Sequence, residues 1–310
     1  MGASESGGAA VVVGIDIGGT GTRFVAAAGT QVLARRTAAT PHTAGPDDIR
    51  AFLAEHIGEV TAGLQPVATG IAASGPIDAS GVIRNPDTLP AFTGIPLVAI
   101  VGELVPGPVA VENDAVCAAL AERAVGAAAT SRRSLHITLG TGVGVCLLDG
   151  DVPFRLADGA HPEGGHFTVA TPTERCYCGR RPCWEQAASR RSLQHTAARI
   201  LDRSPAEEHV IADLADHARR GDEAACAAFA DYGRAVADGL ATLLALYGPE
   251  LAIIGGSAAR YLALYERSMS EAIAALGGWV PPHRVIRTRL DDYGGAIGGA
   301  RLAVAAIAAS

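Results

Sequence analysis

The feature that most constrains this chain is a glycine-rich turn between apolar strands, and it occurs twice. In residues 11–36 an apolar run enters GGTG at 18–21 and continues as further apolar segments, which predicts a strand, a tight turn and two more strands. Residues 135–154 repeat this order around GTG at 140–142. Two well-separated copies of one unit predict two related α/β lobes, each built on a β-hairpin.

Glycines at a strand end let backbone N–H groups approach an anion, and a phosphate is the natural ligand. The first turn is not a P-loop, because no Gly-Lys-Ser/Thr ends it, and a strand follows it rather than the helix of a dinucleotide-binding fold. The structural alternative is a turn that only closes a hairpin. The second copy favours phosphate binding, because two facing turns could hold a nucleotide polyphosphate.

Length and composition fit two globular domains that bind neither nucleic acid nor membrane. The 310 residues are 49% hydrophobic, which supplies enough apolar surface for two cores. The net charge is −7 and no block is rich in lysine or arginine, which argues against nucleic-acid binding. Asp238 and Arg301 interrupt the most apolar regions, and residues 1–10 do not resemble a signal peptide. We therefore expect a cytoplasmic protein.

A candidate catalytic group follows the short apolar run at residues 109–111. There the chain reads Glu112-Asn113-Asp114 before a strongly helical segment at 115–125. A carboxylate at the carboxyl end of a strand lies at the edge of a sheet, where it could accept a proton from a hydroxyl group. Alternatively, Asp114 or Asn113 serves only as the N-cap of the helix.

Cysteine spacing predicts a metal site. Cys176, Cys178 and Cys183 lie within eight residues, and His166 precedes them. This donor set matches a closed tetrahedral zinc site, which is structural because no coordination position is open. The alternatives are a redox pair or core cysteines. The other cysteines lie in apolar or alanine-rich surroundings and are predicted to be core residues: Cys117, Cys146 and Cys226.

The rest of the chain alternates apolar runs with helical patterns, as an α/β fold requires. The run at residues 67–73 enters a long loop at 74–96, and long loops at strand ends commonly hold substrates. A predicted strand at 251–254 enters Gly255-Gly256, which could meet a nucleoside or form only a strand-to-helix turn. Helices are predicted at residues 47–63, 185–201, 205–220, 222–247 and 294–308.

Together these motifs resemble the ROK family of sugar kinases over essentially the whole chain. The matching segments, in the order and spacing of the family, are DIGGTGT at 16–22, ENDA at 112–115, LGTGVG at 139–144, EGGH at 163–166, CYCGRRPCWE at 176–185 and IIGGS at 253–257. The resemblance implies a two-lobed actin/hexokinase-like (ribonuclease H-like) α/β fold with a structural zinc site. The smaller lobe is expected to hold residues 1–118 and the C-terminal helix at 294–310, and the larger lobe residues 119–293.

The resemblance also implies ATP- and Mg²⁺-dependent phosphorylation of a hexose hydroxyl, usually O6, and a role for each matching residue. Asp114 matches the catalytic base, and Asp16 is expected near Mg²⁺. The residues that match the nucleotide site are Gly18, Gly19, Thr20, Gly140, Thr141, Gly142, Gly255 and Gly256. The residues that match sugar contacts are Asn113, Glu163, His166 and Glu185. Sugar and ATP are the implied partners, and the implied assembly is a homo-oligomer, a dimer or a tetramer.

One departure from the family bears on the sugar. Members that resemble glucokinase carry Asn-Leu shortly before an aromatic residue, whereas here Thr88 takes the place of the asparagine and Asp87 lies beside it. Asp87 could pair with the ammonium group of an amino sugar such as kanosamine, a 3-amino-hexose, so glucose and kanosamine are both candidate substrates. Alternatively, Asp87 faces water in a turn and Asn85 makes the sugar contact.

Other functions stay open at this point. The family includes sugar-responsive repressors that carry a DNA-binding winged helix ahead of the kinase fold, whereas here only residues 1–10 precede the first strand. A sugar-binding protein without kinase activity is expected to have lost Asp114 or a glycine turn, and both are intact. Polyphosphate could replace ATP as the phosphoryl donor.

Overall fold

The computed structural model describes residues 9–78, 80–207, 209–281 and 283–310, so most of the segment compared with a signal peptide lies outside the described residues. The chain divides into two compact units. Unit 1 holds the described residues up to Thr130, together with Arg155–His161 and Arg289–Ser310. Unit 2 holds Ser131–Phe154 and Pro162–Thr288.

Strands and helices alternate in both units. In chain order the strands are β1 (Val11–Ile17), β2 (Gly21–Ala28), β3 (Gln31–Ala39), β4 (Thr69–Ala73), β5 (Val109–Asn113), β6 (Arg133–Leu139), β7 (Val143–Asp149), β8 (Val152–Pro153), β9 (Leu251–Gly255) and β10 (Arg284–Arg287). The helices are α1 (Pro46–Val60), α2 (Leu97–Leu104), α3 (Asp114–Val125), α4 (Trp184–Ala188), α5 (Arg190–Leu201), α6 (Val210–Arg219), α7 (Glu223–Tyr247), α8 (Leu262–Ala274) and α9 (Gly294–Ala309). Within the described part of the chain, no helix is long and apolar enough to cross a membrane.

The sheet of unit 1 has the strand order β3-β2-β1-β4-β5. β1 runs antiparallel to β2 and parallel to β4, and β4 runs parallel to β5. β1 reads as a nearly continuous apolar run because both of its faces are covered. Asp16 is in register with Ala72, and Ala72 with Glu112. The carboxyl ends of the three parallel strands therefore meet at one edge, where the polar residues that follow them come together.

Helix α9 covers one face of this sheet at unusually short distance. A Cβ atom on Gly14 of β1 would lie 1.9 Å from the carbonyl oxygen of Ala296, and one on Gly70 of β4 would lie 1.9 Å from that of Gly299. Only glycine permits this approach, which lets a helix of small residues lie against the strand backbone. The domain boundary expected at 118/119 would cut α3, whereas the structure keeps α3 and α9 together in unit 1.

The sheet of unit 2 repeats the arrangement, with the strand order β10-β9-β6-β7-β8. β6 runs antiparallel to β7 and parallel to β9, so β6, β9 and β10 correspond to β1, β4 and β5 of unit 1. This repetition confirms the α/β architecture with two related sheets. Trp184 is fully buried in the core of unit 2, where its Nε1–H donates to the carbonyl oxygen of Ala235 in α7 at 3.0 Å.

Three predictions of local structure were wrong. Residues 185–201 form two helices, because Ser189 is extended and its hydroxyl accepts a hydrogen bond from the N–H of Ser192 at 3.2 Å, which caps α5. The helix predicted from residue 205 begins at Val210. Cys226 is exposed rather than buried, whereas Cys117 and Cys146 are buried as predicted.

Candidate active site

The first glycine turn, residues 18–20, joins β1 to β2 at the edge where the parallel strands end. The N–H of Gly18 donates to the carbonyl oxygen of Gly21 at 3.2 Å. A Cβ atom on Gly19 would lie 3.2 Å from Cγ2 of Thr88, so the side chain of Thr88 packs against the turn. These contacts are those expected of a turn that closes a β-hairpin. The binding of phosphate by this turn stays a prediction.

Asp16, near the end of β1, is a half-buried carboxylate next to this turn. Burial raises the pKa of Asp16 to about 7, and the nearby Asp114 carboxylate acts in the same direction. Arg23 opposes the rise, with Nη1 4.0 Å from Oδ2 of Asp16. The backbone of Gly295 in α9 packs on the carboxylate, because a Cβ atom there would lie 2.6 Å from Oδ2. Such a site favours a bound proton or cation.

Asp114 begins α3 directly after β5. Its Oδ2 accepts a hydrogen bond from the hydroxyl of Ser74 at 3.3 Å, and its Oδ1 accepts one from the N–H of Ala115 at 2.8 Å. Burial raises the pKa of the Asp114 carboxyl group. The N-cap of α3 is Asn113, whose Oδ1 accepts from the same N–H at 2.8 Å. The N-cap alternative therefore applies to Asn113, and Asp114 lies within the first turn of the helix.

Arg155 stabilises the strand end that carries these two residues. Its Nη1 donates to Oε1 of Glu112 at 3.1 Å and its Nη2 donates to Oε2, which makes a bidentate ion pair. Oε1 of Glu112 also accepts from the N–H of Asn113 at 2.7 Å. Neither motif nor spacing predicts Arg155, because it reaches β5 from a separate segment of unit 1.

The two residues proposed for amino-sugar or sugar recognition have different surroundings in unit 1. The amide nitrogen of Asn85 donates to the carbonyl oxygen of Gly75 at 2.9 Å, and its Oδ1 accepts from the N–H of Thr88 at 3.1 Å. The Asn85 side chain thus stabilises the loop through both of its ends. Asp87 is exposed. The choice between them as the sugar contact stays a prediction.

In unit 2, Glu185 supports the second glycine turn at residues 140–142. The N–H of Gly140 donates to the carbonyl oxygen of Gly142 at 3.0 Å. Oε2 of the buried Glu185 accepts from the N–H of Val143 at 3.1 Å. A Cβ atom on Gly142 would lie 2.3 Å from the same oxygen, so the approach of the carboxylate requires glycine at this position.

The glycine pair after β9 lies next to this second turn. Gly255 is in register with Thr138 near the end of β6, directly before the turn. Gly256 has a φ of 77°, and a Cβ atom there would lie 2.6 Å from the carbonyl carbon of Leu139. Both constraints require glycine at 256. The neighbouring glycine segments fit a nucleoside contact, and they also fit a strand-to-helix turn.

The predicted zinc ligands converge in unit 2. His166, Cys176, Cys178 and Cys183 each offer one donor atom, and these atoms lie within 4.8 Å of one another. Nδ1 of His166 lies 3.6 Å from Sγ of Cys176 and 3.5 Å from Sγ of Cys183, and the sulfurs of Cys178 and Cys183 are 3.9 Å apart. Bonds of about 2.3 Å to sulfur and 2.0–2.1 Å to nitrogen give tetrahedral ligand separations of roughly 3.6–3.8 Å. The four residues therefore fit Zn²⁺.

Three predicted sugar contacts come together beside this cluster. The N–H of His166 donates to the carbonyl oxygen of Glu163 at 3.1 Å, and the N–H of Glu185 donates to that of Gly165 at 3.0 Å. Nε2 of His166 lies 3.7 Å from Oε2 of Glu185. The imidazole thus faces the thiols with Nδ1 and the Glu185 carboxylate with Nε2.

Tyr177 is a further member of this group, and neither motif nor spacing predicts it. Its hydroxyl oxygen lies 2.9 Å from Nε2 of His166, and the two rings meet edge to face with centroids 5.0 Å apart. Although the residue as a whole is exposed, desolvation of its hydroxyl raises the pKa of Tyr177, and the charge of the nearby Glu185 acts in the same direction, so the hydroxyl keeps its proton.

The sequence model of the ROK family matches residues 12–306. The chain belongs to the ROK family. It is 31% identical to a glucokinase of Streptomyces coelicolor, across 94% of this chain and 97% of the relative. It is 29% identical to a kanosamine kinase of Amycolatopsis mediterranei, across 85% and 86% of the two chains.

The fold matches that of a solved family member. A ROK family glucokinase from Streptomyces griseus, in complex with glucose and AMPPNP, matches 95% of this chain with a TM-score of 0.80 and 30% identity, and 99% of the glucokinase is covered. These comparisons confirm both the family and the two-sheet α/β fold predicted from the motifs.

Proposed function

We propose that this protein is an ATP-dependent sugar kinase that transfers the γ-phosphate to the 6-hydroxyl of a hexose, either glucose or an amino sugar such as kanosamine. The observation that carries this proposal is the pair of half-buried acids, Asp16 and Asp114, whose pKa values are both raised, at the strand edge that also holds the first glycine turn. Similarity to a glucokinase that binds glucose and AMPPNP supports it.

In this proposal Asp114 accepts the proton of the sugar hydroxyl. Phosphoryl transfer depends mainly on positioning and charge neutralisation, so one well-placed carboxylate is sufficient as a base. Burial raises the pKa of Asp114, which makes its carboxylate a better proton acceptor than one in water. The ion pair of Arg155 with Glu112 stabilises the backbone from which Asp114 projects.

The nucleotide role falls to glycine-rich segments and to Asp16. Backbone N–H groups of Gly18, Gly19 and Thr20 are proposed to meet phosphate oxygens, with Asp16 next to the Mg²⁺ that accompanies ATP. In unit 2 the same role is proposed for Gly140, Thr141 and Gly142, and the adenosine contact for Gly255 and Gly256. Bound Mg²⁺ would favour the ionised form of Asp16, which burial alone disfavours.

The sugar-reading role is proposed for Asn113, Glu163, His166 and Glu185, and the zinc-binding role for His166, Cys176, Cys178 and Cys183. Zinc would supply rigidity to the segment that carries these groups. Nδ1 of His166 faces two of the thiols, so Nε2 is the atom that remains to face a hydroxyl. One imidazole can therefore serve both the cluster and the sugar.

Turnover on a panel of sugars tests the proposal. Glucose, mannose and kanosamine, each with ATP and Mg²⁺, are assayed for ADP release, and inorganic polyphosphate replaces ATP in a parallel series. We expect ATP-dependent release with at least one of these hexoses and O6 as the phosphorylated position in the product. ADP release that never exceeds the sugar-free background contradicts the proposal.

The amino-sugar preference needs a separate measurement. If Asp87 pairs with an ammonium group, Asp87→Asn lowers kcat/KM for kanosamine by about tenfold, the effect of a lost charge-assisted hydrogen bond, and leaves kcat/KM for glucose nearly unchanged. Asp151→Asn, which alters an exposed carboxylate in unit 2, is the matched control. If the ratio of kcat/KM for kanosamine to that for glucose is the same in Asp87→Asn as in the unmodified protein, Asp87 does not contact the ammonium group.

A further inference from the structure

Tyr177 lies between two of the cysteines that fit the zinc site, yet its side chain belongs to a different environment. Its neighbours Cys176 and Cys178 direct their sulfurs into the cluster, whereas Tyr177 is 66% exposed. Its hydroxyl nevertheless reaches Nε2 of His166 at 2.9 Å.

The hydrogen-bond directions around this hydroxyl follow from the chemistry of His166. When Nδ1 of a histidine gives its lone pair to a metal, Nε2 carries the ring proton and can only donate. The Tyr177 oxygen then accepts from Nε2–H at 2.9 Å, which leaves the phenol proton free to point toward the Glu185 carboxylate, whose Oε2 lies 3.7 Å from the same Nε2. The hydroxyl is thus held between a donor and an acceptor.

A sugar hydroxyl has the same chemistry, because it offers one O–H donor and accepts through its oxygen. His166 and Glu185 are two of the groups that the proposed function assigns to the sugar. We propose that the Tyr177 hydroxyl takes the place of a substrate hydroxyl between His166 and Glu185, so that a sugar must displace it in order to bind. This inference rests on the proposed function.

Displacement is feasible because little holds the tyrosine ring in place. The ring meets His166 only edge to face, with an angle of 77° between the planes, and most of its surface is exposed. Moving it exchanges one set of hydrogen bonds for an equivalent set made by the sugar. The cost appears in the apparent affinity, since a competing internal hydroxyl reduces the fraction of protein that is ready to bind.

Tyr177→Phe tests this directly, because it removes the competing oxygen and keeps the ring. We expect the Kd for glucose, measured by isothermal titration calorimetry on zinc-loaded protein, to fall by about three- to tenfold, the range for one hydrogen-bonded hydroxyl. Tyr261→Phe is the matched control: it removes the hydroxyl of another tyrosine of unit 2, whose ring packs on Phe229, and should leave the Kd unchanged. Zinc content and Tm are measured for both variants.

The outcomes separate the two proposals. A lower Kd in Tyr177→Phe alone supports the displaced hydroxyl. An unchanged or higher Kd in that variant, with glucose binding to the unmodified protein intact, overturns this inference and leaves the kinase proposal standing. If calorimetry with glucose, mannose and kanosamine detects no sugar binding to the unmodified protein, the proposed function fails, and this inference fails with it.

Discussion

The two units share one sheet topology but carry different chemistry. In each, an antiparallel hairpin with a glycine turn is extended by two parallel strands, so β1, β4 and β5 correspond to β6, β9 and β10. Unit 1 places two acids with raised pKa values at the carboxyl ends of its parallel strands. Unit 2 places a carboxylate, an imidazole and three thiols beside its hairpin turn.

The difference comes from what each unit inserts between corresponding strands. After β3, unit 1 has α1 and then β4, and its two acids lie at strand ends: Asp16 in β1, and Asp114 directly after β5 as the first residue of α3. After β8, unit 2 has the segment with the thiols and the helices α4 to α7 before β9. Reactive groups on a strand end depend on the sheet for their positions, whereas groups on an insertion need another source of rigidity. A metal can supply it.

The sharpest test of the unit 1 assignment is Asp114→Asn, which keeps the size of the side chain and removes the proton acceptor. We expect kcat to fall by roughly 10²- to 10⁴-fold, the contribution of a general base. Ser74→Ala, which removes a hydrogen bond to the same carboxylate, is the milder companion and should cost less than tenfold. If Asp114→Asn retained most of its kcat, Asp114 would not be the general base.

Cys176→Ser tests whether unit 2 depends on its thiol cluster. Loss of a ligand should lower bound zinc to near zero and destabilise the protein by about 4 kcal/mol, as loss of a structural metal does. Metal analysis and chemical denaturation measure both effects. Cys226→Ser is the control, because that thiol is exposed and lies outside the cluster. Full stability of a metal-free Cys176→Ser protein would show that the insertion needs no metal.

The comparison also shows how much the sequence could predict. Asp114, the glycine turns and the four zinc donors were predicted because each lies in a local pattern, a strand end or a short spacing. Arg155 was not, since its partner Glu112 is 43 residues away and only folding brings the two together. Tyr177 was not, because the spacing of the thiols does not say where the side chain between two of them points. The break at Ser189 was missed because the surrounding pattern is helical and a single cap residue interrupts it.

The half-buried Asp16 of unit 1 predicts a pH effect on stability. Folding raises the pKa of Asp16 from 3.8 to about 7, so the folded state binds a proton that the unfolded state has released at intermediate pH. Stability should therefore fall as the pH rises from about 4 to about 7 and then level off. Asp16→Asn should remove this slope and be more stable than the unmodified protein at pH 8, by roughly 2 to 4 kcal/mol in magnesium-free buffer. The free energy of unfolding is measured by urea titration at each pH for both proteins. If it depends on pH equally in the two, Asp16 is ionised in the folded protein throughout this range.

The smallest predicted effect concerns one close contact between helices in each unit, where a glycine lies against the backbone of the neighbouring helix. A Cβ atom on Gly298 of α9 would lie 1.8 Å from the carbonyl oxygen of Cys117 in α3, and one on Gly233 of α7 would lie 2.5 Å from that of Tyr265 in α8. Gly298→Ala and Gly233→Ala should each cost about 1–3 kcal/mol of stability in urea unfolding, because backbone atoms must move. Gly58→Ala, in open space on α1, should cost nothing.

Activity below the unfolding transition then distinguishes the two packing sites. α3 begins with Asp114, so a shift forced on α3 by Gly298→Ala moves the proposed base and should lower kcat. α8 carries none of the proposed site residues, so Gly233→Ala should lower stability alone. If both variants lost kcat in proportion to their loss of stability, the effect on kcat would not depend on displacing α3 and Asp114. That result would contradict the assignment of the base to unit 1.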